Sequence, residues 1–195
     1  MIHFLFTGLI ILSLLPLIAA FLLGYQLIRN GQGILGKPTI QPFIFYLSKA
    51  ITGLIFALTA LVTWCPYFFH LWPWLLQITI PAVQKLLALI FLFAGNILLL
   101  PALCRMSIFT RIGLPTGPHP LITTGAYSVS RNPMYTSFFC FYTSCFLLIP
   151  SLLILGLIFF DLIVHHQIIF KEEQFLRIKF SKNFEEYCGR VSRYL

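Results

Sequence analysis

Long uncharged stretches constrain this chain more than any other feature of its sequence. Five apolar segments span residues 4–28, 42–64, 86–104, 134–149 and 151–170. A helix needs about 20 residues, within a range of roughly 17–25, to cross the hydrocarbon core of a bilayer. Only 9% of the 195 residues are charged, whereas soluble domains carry about 25%. We therefore expect an all-α integral membrane protein with about five transmembrane helices.

The fourth and fifth segments are separated by a single residue, Pro150. Because so short a connection returns the chain along the helix it has just left, these two segments are predicted to form a tight antiparallel hairpin. No repeat or change in composition marks a second domain. Residues 1–195 are expected to form a single transmembrane domain.

The basic residues are distributed unevenly along the chain, which has 13 Lys and Arg and a formal net charge of +8. Two lie in the first connection, three in the third and six after the fifth segment, while residues 65–81 have none. Cytoplasmic loops carry an excess of Lys and Arg, so the first and third connections and the C-terminus are predicted to be cytoplasmic. The opposite loop would place an aromatic belt at the membrane interface: Trp64, Tyr67, Trp72 and Trp74.

The basic residues do not alternate with aromatic ones in one patch, so no nucleic-acid partner is expected.

Four ionisable residues lie inside or at the ends of the apolar segments. Lys49 is predicted to extend its amine to the membrane interface. Asp161 lies in the middle of a segment, where an acid is either a functional group or a buried carboxyl bonded to a neighbouring hydroxyl or amide. His165 and His166 point about 100° apart on a helix and cannot bind one metal ion from one face. They are interpreted as the exit of the fifth helix from the membrane, and no metal site is expected.

The C-terminal tail is charged and has helical periodicity. Its apolar residues recur at spacings of four, four and three: Leu176, Phe180, Phe184 and Tyr187. This spacing predicts an amphipathic helix that packs back on the cytoplasmic face or lies along the membrane surface.

The sequence SRNPMY, residues 130–135, precedes the fourth apolar segment. Asn132 is a favourable N-cap residue and Pro133 suits the first helical position. The free N–H groups of a helix start attract anions, and Arg131 adds a positive charge. These residues therefore predict either an anion-binding helix start or a capped helix whose arginine contacts lipid headgroups.

The predicted hairpin places this helix start beside the end of the fifth segment. Arg131, Asn132 and Tyr135 should therefore lie close to Glu172 and Glu173. This proximity follows from the connectivity alone.

The ordered motifs of residues 117–195 resemble the isoprenylcysteine carboxyl methyltransferase family, which includes related phospholipid methyltransferases. The residues that carry the resemblance are His119-Pro120-Leu121-Ile122, Gly125-Ala126-Tyr127, Arg131-Asn132-Pro133-Met134-Tyr135, Glu172-Glu173, Phe180, Phe184, Tyr187 and Arg193-Tyr194.

The resemblance implies an S-adenosylmethionine-dependent methyltransferase that acts on a lipophilic acceptor, as in carboxyl methylation of protein isoprenylcysteine. It implies a cytoplasm-facing cofactor pocket in a protein whose partners are the bilayer and that acceptor. Arg131 and Glu172 would be the catalytic residues. The implied cofactor-binding residues are His119, Pro120, Leu121, Ile122, Tyr127, Asn132, Pro133, Met134, Tyr135, Glu172 and Glu173.

Two positions depart from the family pattern. Asn132 replaces a histidine, and asparagine cannot titrate near neutral pH. Ile168 stands where prenylcysteine methyltransferases have an arginine proposed to hold the substrate carboxylate. Methylation of a phospholipid or another lipophilic amine or thiol is therefore an alternative. An NADPH-dependent membrane reductase and a non-enzymatic membrane scaffold are less favoured.

Overall fold

The computed structural model describes most of the chain, with side chains described from residue 7 onward. The described ranges are 2–31, 33–65, 80–106, 112–114 and 119–195. Several residues used in the predictions above lie outside them: Tyr67, Trp72, Trp74 and Arg111.

Five α-helices make up most of the described residues. They are α1 (Ile2–Arg29), α2 (Pro42–Trp64), α3 (Ala82–Met106), α4 (Pro133–Leu148) and α5 (Leu152–Arg190). Helices α1, α2, α3 and α5 are long and apolar enough to cross a membrane, whereas α4 has 16 residues. The predicted all-helical membrane fold is confirmed.

Local sequence signals explain where several helices begin. Proline occupies a first-turn position of both α2 and α4, at Pro42 and Pro133. The proline ring fixes a helical φ, and the N–H that it lacks has no partner in the first turn. Ser151 caps α5, because its hydroxyl accepts a hydrogen bond from the backbone N–H of Leu153 at 3.3 Å.

Helices α4 and α5 form the predicted hairpin. Tyr142, towards the end of α4, donates to Asp161, towards the start of α5, at 2.5 Å. Tyr135, in the first turn of α4, donates to Glu172 at 2.9 Å. These two pairs show that the helices run antiparallel.

Asp161 is completely buried among the hydroxyl groups of neighbouring helices. Its carboxylate accepts hydrogen bonds from Ser48, from Thr52 at 2.8 Å and from Tyr142. Of the two interpretations left open for this residue, the structure shows the hydrogen-bonded buried acid. The three bonds connect α2, α4 and α5. They give the carboxylate the partners that it needs, because an unpaired carboxylate in an apolar interior is very costly.

The prediction that the Lys49 amine extends to the membrane interface is wrong. Lys49 shares the inward face of α2 with Ser48 and Thr52, and its Nζ lies 3.0 Å from His165 Nε2. That ring nitrogen and the surrounding aromatic faces give the amine polar partners inside the bundle.

The two adjacent histidines lie in different environments. His165 is completely buried. His166 is exposed, and its Nδ1 lies 2.5 Å from the hydroxyl of Tyr194. The expected divergence of the two rings is therefore confirmed, but His165 belongs to the interior of the bundle.

The C-terminal tail forms a helical segment of its own, which a kink separates from the first part of α5. The helix is interrupted at Ser181, where φ is 43° and ψ is −117°. Beyond this break Phe184 and Tyr187 are buried, whereas Leu176 and Phe180 before it are half-buried. The tail packs back on the bundle as predicted, but its apolar face is divided by the break.

The first and third connections meet at one end of the bundle. Gly36 N–H donates to Ile112 at 2.9 Å, and Lys37 and Leu114 exchange backbone hydrogen bonds at 3.0 and 2.9 Å. Gly113 has a φ of 108°, which favours glycine. The basic residues of these two connections that the structure describes therefore lie at the same end, as their distribution predicts, while the cytoplasmic identity of that end stays a prediction.

Glycine allows α3 to pack closely against α4. A Cβ added at Gly95 would lie 2.9 Å from two ring carbons of Phe141, which is almost completely buried. Phe141 also packs edge-on against Phe56 of α2, with ring centroids 4.9 Å apart. Little room remains for this ring to move away.

We predict that Gly95→Ala lowers the stability of the bundle, because the added methyl group displaces the Phe141 ring; overpacking of this kind costs about 1–3 kcal/mol. Gly53→Ala is the matched control, since a Cβ there meets no atom within 4 Å. Thermal unfolding in detergent should show a lower Tm for Gly95→Ala alone. Equal Tm values for the two variants would contradict the packing described here.

Candidate active site between the start of α4 and the second half of α5

A cavity opens where residues 119–135 approach the second half of α5. Eleven of the predicted site residues line it: His119, Pro120, Leu121, Ile122, Tyr127, Arg131, Asn132, Pro133, Met134, Tyr135 and Glu172. The remaining wall comes from residues that were not predicted as site residues: Met106, Gly113, Leu114, Phe175, Leu176 and Tyr187. The structure thus brings the sequence motifs together around one space.

Some of the missed residues had a signal in the sequence. Phe175 and Leu176 follow Glu172 by three and four positions, so they share its side of a helix. Tyr187 belongs to the predicted apolar face of the tail. Gly113 and Leu114 had no such signal, since only their pairing with the first connection places them at the cavity.

The predicted proximity of the α4 start to the two glutamates is confirmed. The Tyr135 hydroxyl donates to Glu172 Oε1 at 2.9 Å. Asn132 Nδ2 donates to Glu173 Oε1 at 3.0 Å. Arg131 Nε lies 3.4 Å from the same oxygen of Glu173, without the geometry of a hydrogen bond.

Glu173 lies behind the cavity wall, where it connects three segments of the chain. Its Oε2 accepts two hydrogen bonds from the Arg193 guanidinium, at 3.1 and 2.9 Å. Its Oε1 faces Asn132 and Arg131. Because Glu173 is buried and engaged on both oxygens, it holds α4, α5 and the C-terminus together, while Glu172 faces the cavity.

The last residues of the chain cross the start of α4. Arg131 N–H donates to the carbonyl of Ser192 at 3.0 Å, and Asn132 Nδ2 donates to the carbonyl of Arg193 at 3.2 Å. The Arg193 guanidinium also lies 4.2 Å from the centroid of the Phe170 ring. Its bonds to Glu173 raise the pKa of Arg193, so this clamp remains charged.

The prediction that the Asn132 side chain caps α4 is wrong. Asn132 occupies the N-cap position, but its side chain makes no capping hydrogen bond. Its Nδ2 instead donates hydrogen bonds to Glu173 Oε1 and to the carbonyl of Arg193. The N–H groups in the first turn of α4 therefore receive no capping hydrogen bond from the Asn132 side chain. This turn includes Met134 and Tyr135, which line the cavity.

His119 and Tyr127 give the cavity a largely uncharged aromatic side. Burial lowers the pKa of His119, so its imidazole is neutral near pH 7. The His119 ring stacks on Phe175, with centroids 6.1 Å apart. Burial also raises the pKa of Tyr127, whose carbonyl accepts a hydrogen bond from Tyr187 at 2.6 Å.

The lining can bind a ligand that carries both signs of charge. Arg131 supplies a cation, Glu172 an anion, and His119 and Phe175 an aromatic surface. Among the residues that the structure describes, no group of three or more His, Cys, Asp or Glu could hold a metal ion.

We predict that Glu173→Ala destabilises the protein, because it leaves the partly buried Arg131 and Arg193 without their shared carboxylate. Loss of such partners costs about 1–3 kcal/mol. Glu186→Ala is the control, since Glu186 forms only an exposed contact with Lys182 at 3.9 Å. Chemical denaturation in detergent should separate the two variants, and a Glu173→Ala protein as stable as Glu186→Ala would rule out the connecting role.

Comparison with known proteins identifies the family of the chain. A family model described as phospholipid methyltransferase matches residues 83–183. The match covers nearly all of α3, the whole of α4 and most of α5, the helices that carry the cavity. Neither a curated protein nor a solved structure matches the chain. Because the matched residues are more than half of the chain, the protein belongs to the phospholipid methyltransferase family, which is grouped with the integral membrane isoprenylcysteine carboxyl methyltransferases.

Proposed function

We propose that the protein transfers a methyl group from S-adenosylmethionine to a lipophilic acceptor that reaches the site from the bilayer. Family membership implies methyltransferase activity. The observation that supports this donor is the pairing of Arg131 and Glu172 with an aromatic wall in one cavity. The donor has a carboxylate, an ammonium group and an adenine, which match these three features.

In this proposal, the donor carboxylate binds at the start of α4, near Arg131. Uncapped helix N–H groups and a guanidinium both favour an anion. Glu172 takes the donor ammonium or ribose, and Tyr135 holds the Glu172 carboxylate from the side. The adenine lies against the aromatic side formed by His119 and Phe175.

The reaction is an in-line displacement at the methyl carbon. A lone pair of the acceptor forms the new bond to carbon, the carbon–sulfur bond breaks, and its electron pair remains on sulfur as a thioether. No covalent intermediate with the protein is needed, so alignment and exclusion of water supply the acceleration. Arg131 and Glu172 contribute by fixing the donor.

The acceptor that we propose is a lipid amine. Ile168 is completely buried beside Phe45 and Tyr135, so no cation occupies the position at which the resemblance calls for an arginine to bind a prenylcysteine carboxylate. The family description also favours a phospholipid headgroup.

We place the cavity on the cytoplasmic side of the membrane, where the donor is available. The distribution of Lys and Arg supports this orientation. The contact between the first and third connections supports it as well, because both lie at one end of the bundle.

Binding of S-adenosylhomocysteine, the product form of the donor, tests the site. We expect purified wild-type protein to bind it and Glu172→Ala to lose at least tenfold in affinity, since a hydrogen bond to a charged group contributes about 1.5–3 kcal/mol. Isothermal titration calorimetry in detergent measures this effect. Glu185→Ala, exposed on the same helix, is the control.

Glutamine at position 172 still accepts the hydrogen bond from Tyr135 but lacks the negative charge. Glu172→Gln should therefore also lose affinity for S-adenosylhomocysteine, which would show that the loss in Glu172→Ala does not come from the Tyr135 contact. Unchanged affinity in folded Glu172→Ala would reject the site assignment. Stabilisation of the wild type by NADPH, without binding of S-adenosylhomocysteine, would favour a reductase.

A further inference from the structure

Lys49 places an ammonium group directly behind the cavity. The residue belongs to α2 and does not line the cavity itself. Its Nζ lies 4.9 Å from the ring centroid of Tyr135, a residue that lines the cavity. It also lies 5.3 Å from the Phe45 ring centroid. The amine therefore packs against a residue of the cavity wall without lining the cavity itself.

The hydrogen-bond partner of Lys49 is an uncharged group. Its Nζ contacts His165 Nε2 at 3.0 Å, and His165 Nδ1 faces Asp161 Oδ2 at 3.6 Å. Among the described residues no carboxylate oxygen lies within 4.0 Å of Lys49 Nζ. Two acids act on this amine without an ion-pair contact: Glu172 at the cavity, and Asp161, whose oxygens accept hydrogen bonds from three hydroxyl groups.

His165 fixes the position of this charge. The imidazole is completely buried and packs against the Tyr135 ring, with centroids 5.1 Å apart. A lysine amine that donates to such a group cannot follow a ligand or move out to solvent. Lys49 thus holds its amine beside the Tyr135 ring, close to the cavity but not in its lining.

The two forms of the proposed donor differ by one positive charge. S-adenosylmethionine carries a sulfonium cation, whereas S-adenosylhomocysteine has a neutral thioether at the same atom. During transfer the positive charge leaves the sulfur and passes to the acceptor nitrogen, which then releases a proton to water. Two like charges about 10 Å apart, at an effective dielectric constant of about 20, alter a binding constant roughly tenfold.

The geometry points to Lys49 as an electrostatic positioning residue that weakens the binding of the cationic donor relative to the neutral product. This inference rests on the proposed function. The repulsion raises the free energy of the bound sulfonium form relative to that of the neutral thioether, so it opposes binding of the donor more than binding of the product. The charge on Lys49, whose amine is held by His165 next to Asp161, acts without contact with either substrate.

The test compares the dissociation constants of S-adenosylmethionine and S-adenosylhomocysteine for the full-length protein in detergent at pH 7. In Lys49→Gln, which keeps a donor for His165 Nε2, we expect binding of the methyl donor to improve roughly tenfold relative to binding of the product. Lys49→Arg should keep the wild-type ratio, because it keeps the charge. Lys85→Met, at an exposed position in the first turn of α3, is the control and should also keep it.

The ratio distinguishes an electrostatic role from a structural one. A distorted cavity wall changes the affinity for both ligands alike, so equal changes in Lys49→Gln would overturn the inference. Lys49→Met, which fills similar space without charge, should reproduce the shifted ratio if Lys49→Gln does not fold. A wild type that binds neither ligand would instead overturn the proposed function, and this inference with it.

Discussion

The short link between α4 and α5 is the constraint on which the site depends. Only residues 149–151 separate the two helices, so the chain must return antiparallel and in one register. That register pairs Tyr142 with Asp161 in the interior and Tyr135 with Glu172 at the cavity. A longer loop would leave this register free and would lose the defined position of Glu172.

The apolar surroundings turn polar side chains into connections between helices. A hydroxyl, amine or carboxylate inside the bundle is costly unless it has a partner, and its partners come from other helices. Asp161 joins α2, α4 and α5 in this way. Glu173 does the same for α4, α5 and the C-terminal residues. Two residues of the cavity wall, Arg131 and Asn132, contact Glu173 directly, so this second centre fixes part of the wall.

The sequence predicted the helices well, because hydropathy and proline positions act locally. It also predicted that the α4 start meets Glu172 and Glu173, since this follows from connectivity. The inward position of Lys49 could not be predicted, because hydropathy gives the depth of a residue but not the face it occupies. The contact of Arg193 with Glu173 depends on the break at Ser181, which has no proline or glycine to mark it. Asn132 occupies the predicted N-cap position, but its side chain does not cap the helix, because the hydrogen bond from its Nδ2 to Glu173 sets the orientation of the amide.

The central claim is that this cavity catalyses methyl transfer to a lipid amine. The most direct measurement supplies methyl-labelled S-adenosylmethionine to membranes that contain the protein and identifies the labelled lipid. We expect label on the nitrogen of a lipid headgroup, and no such label with membranes that contain Glu172→Ala. Label in a carboxyl ester would contradict the proposed acceptor. No labelled lipid from a folded wild-type protein that binds the donor would contradict the proposed activity.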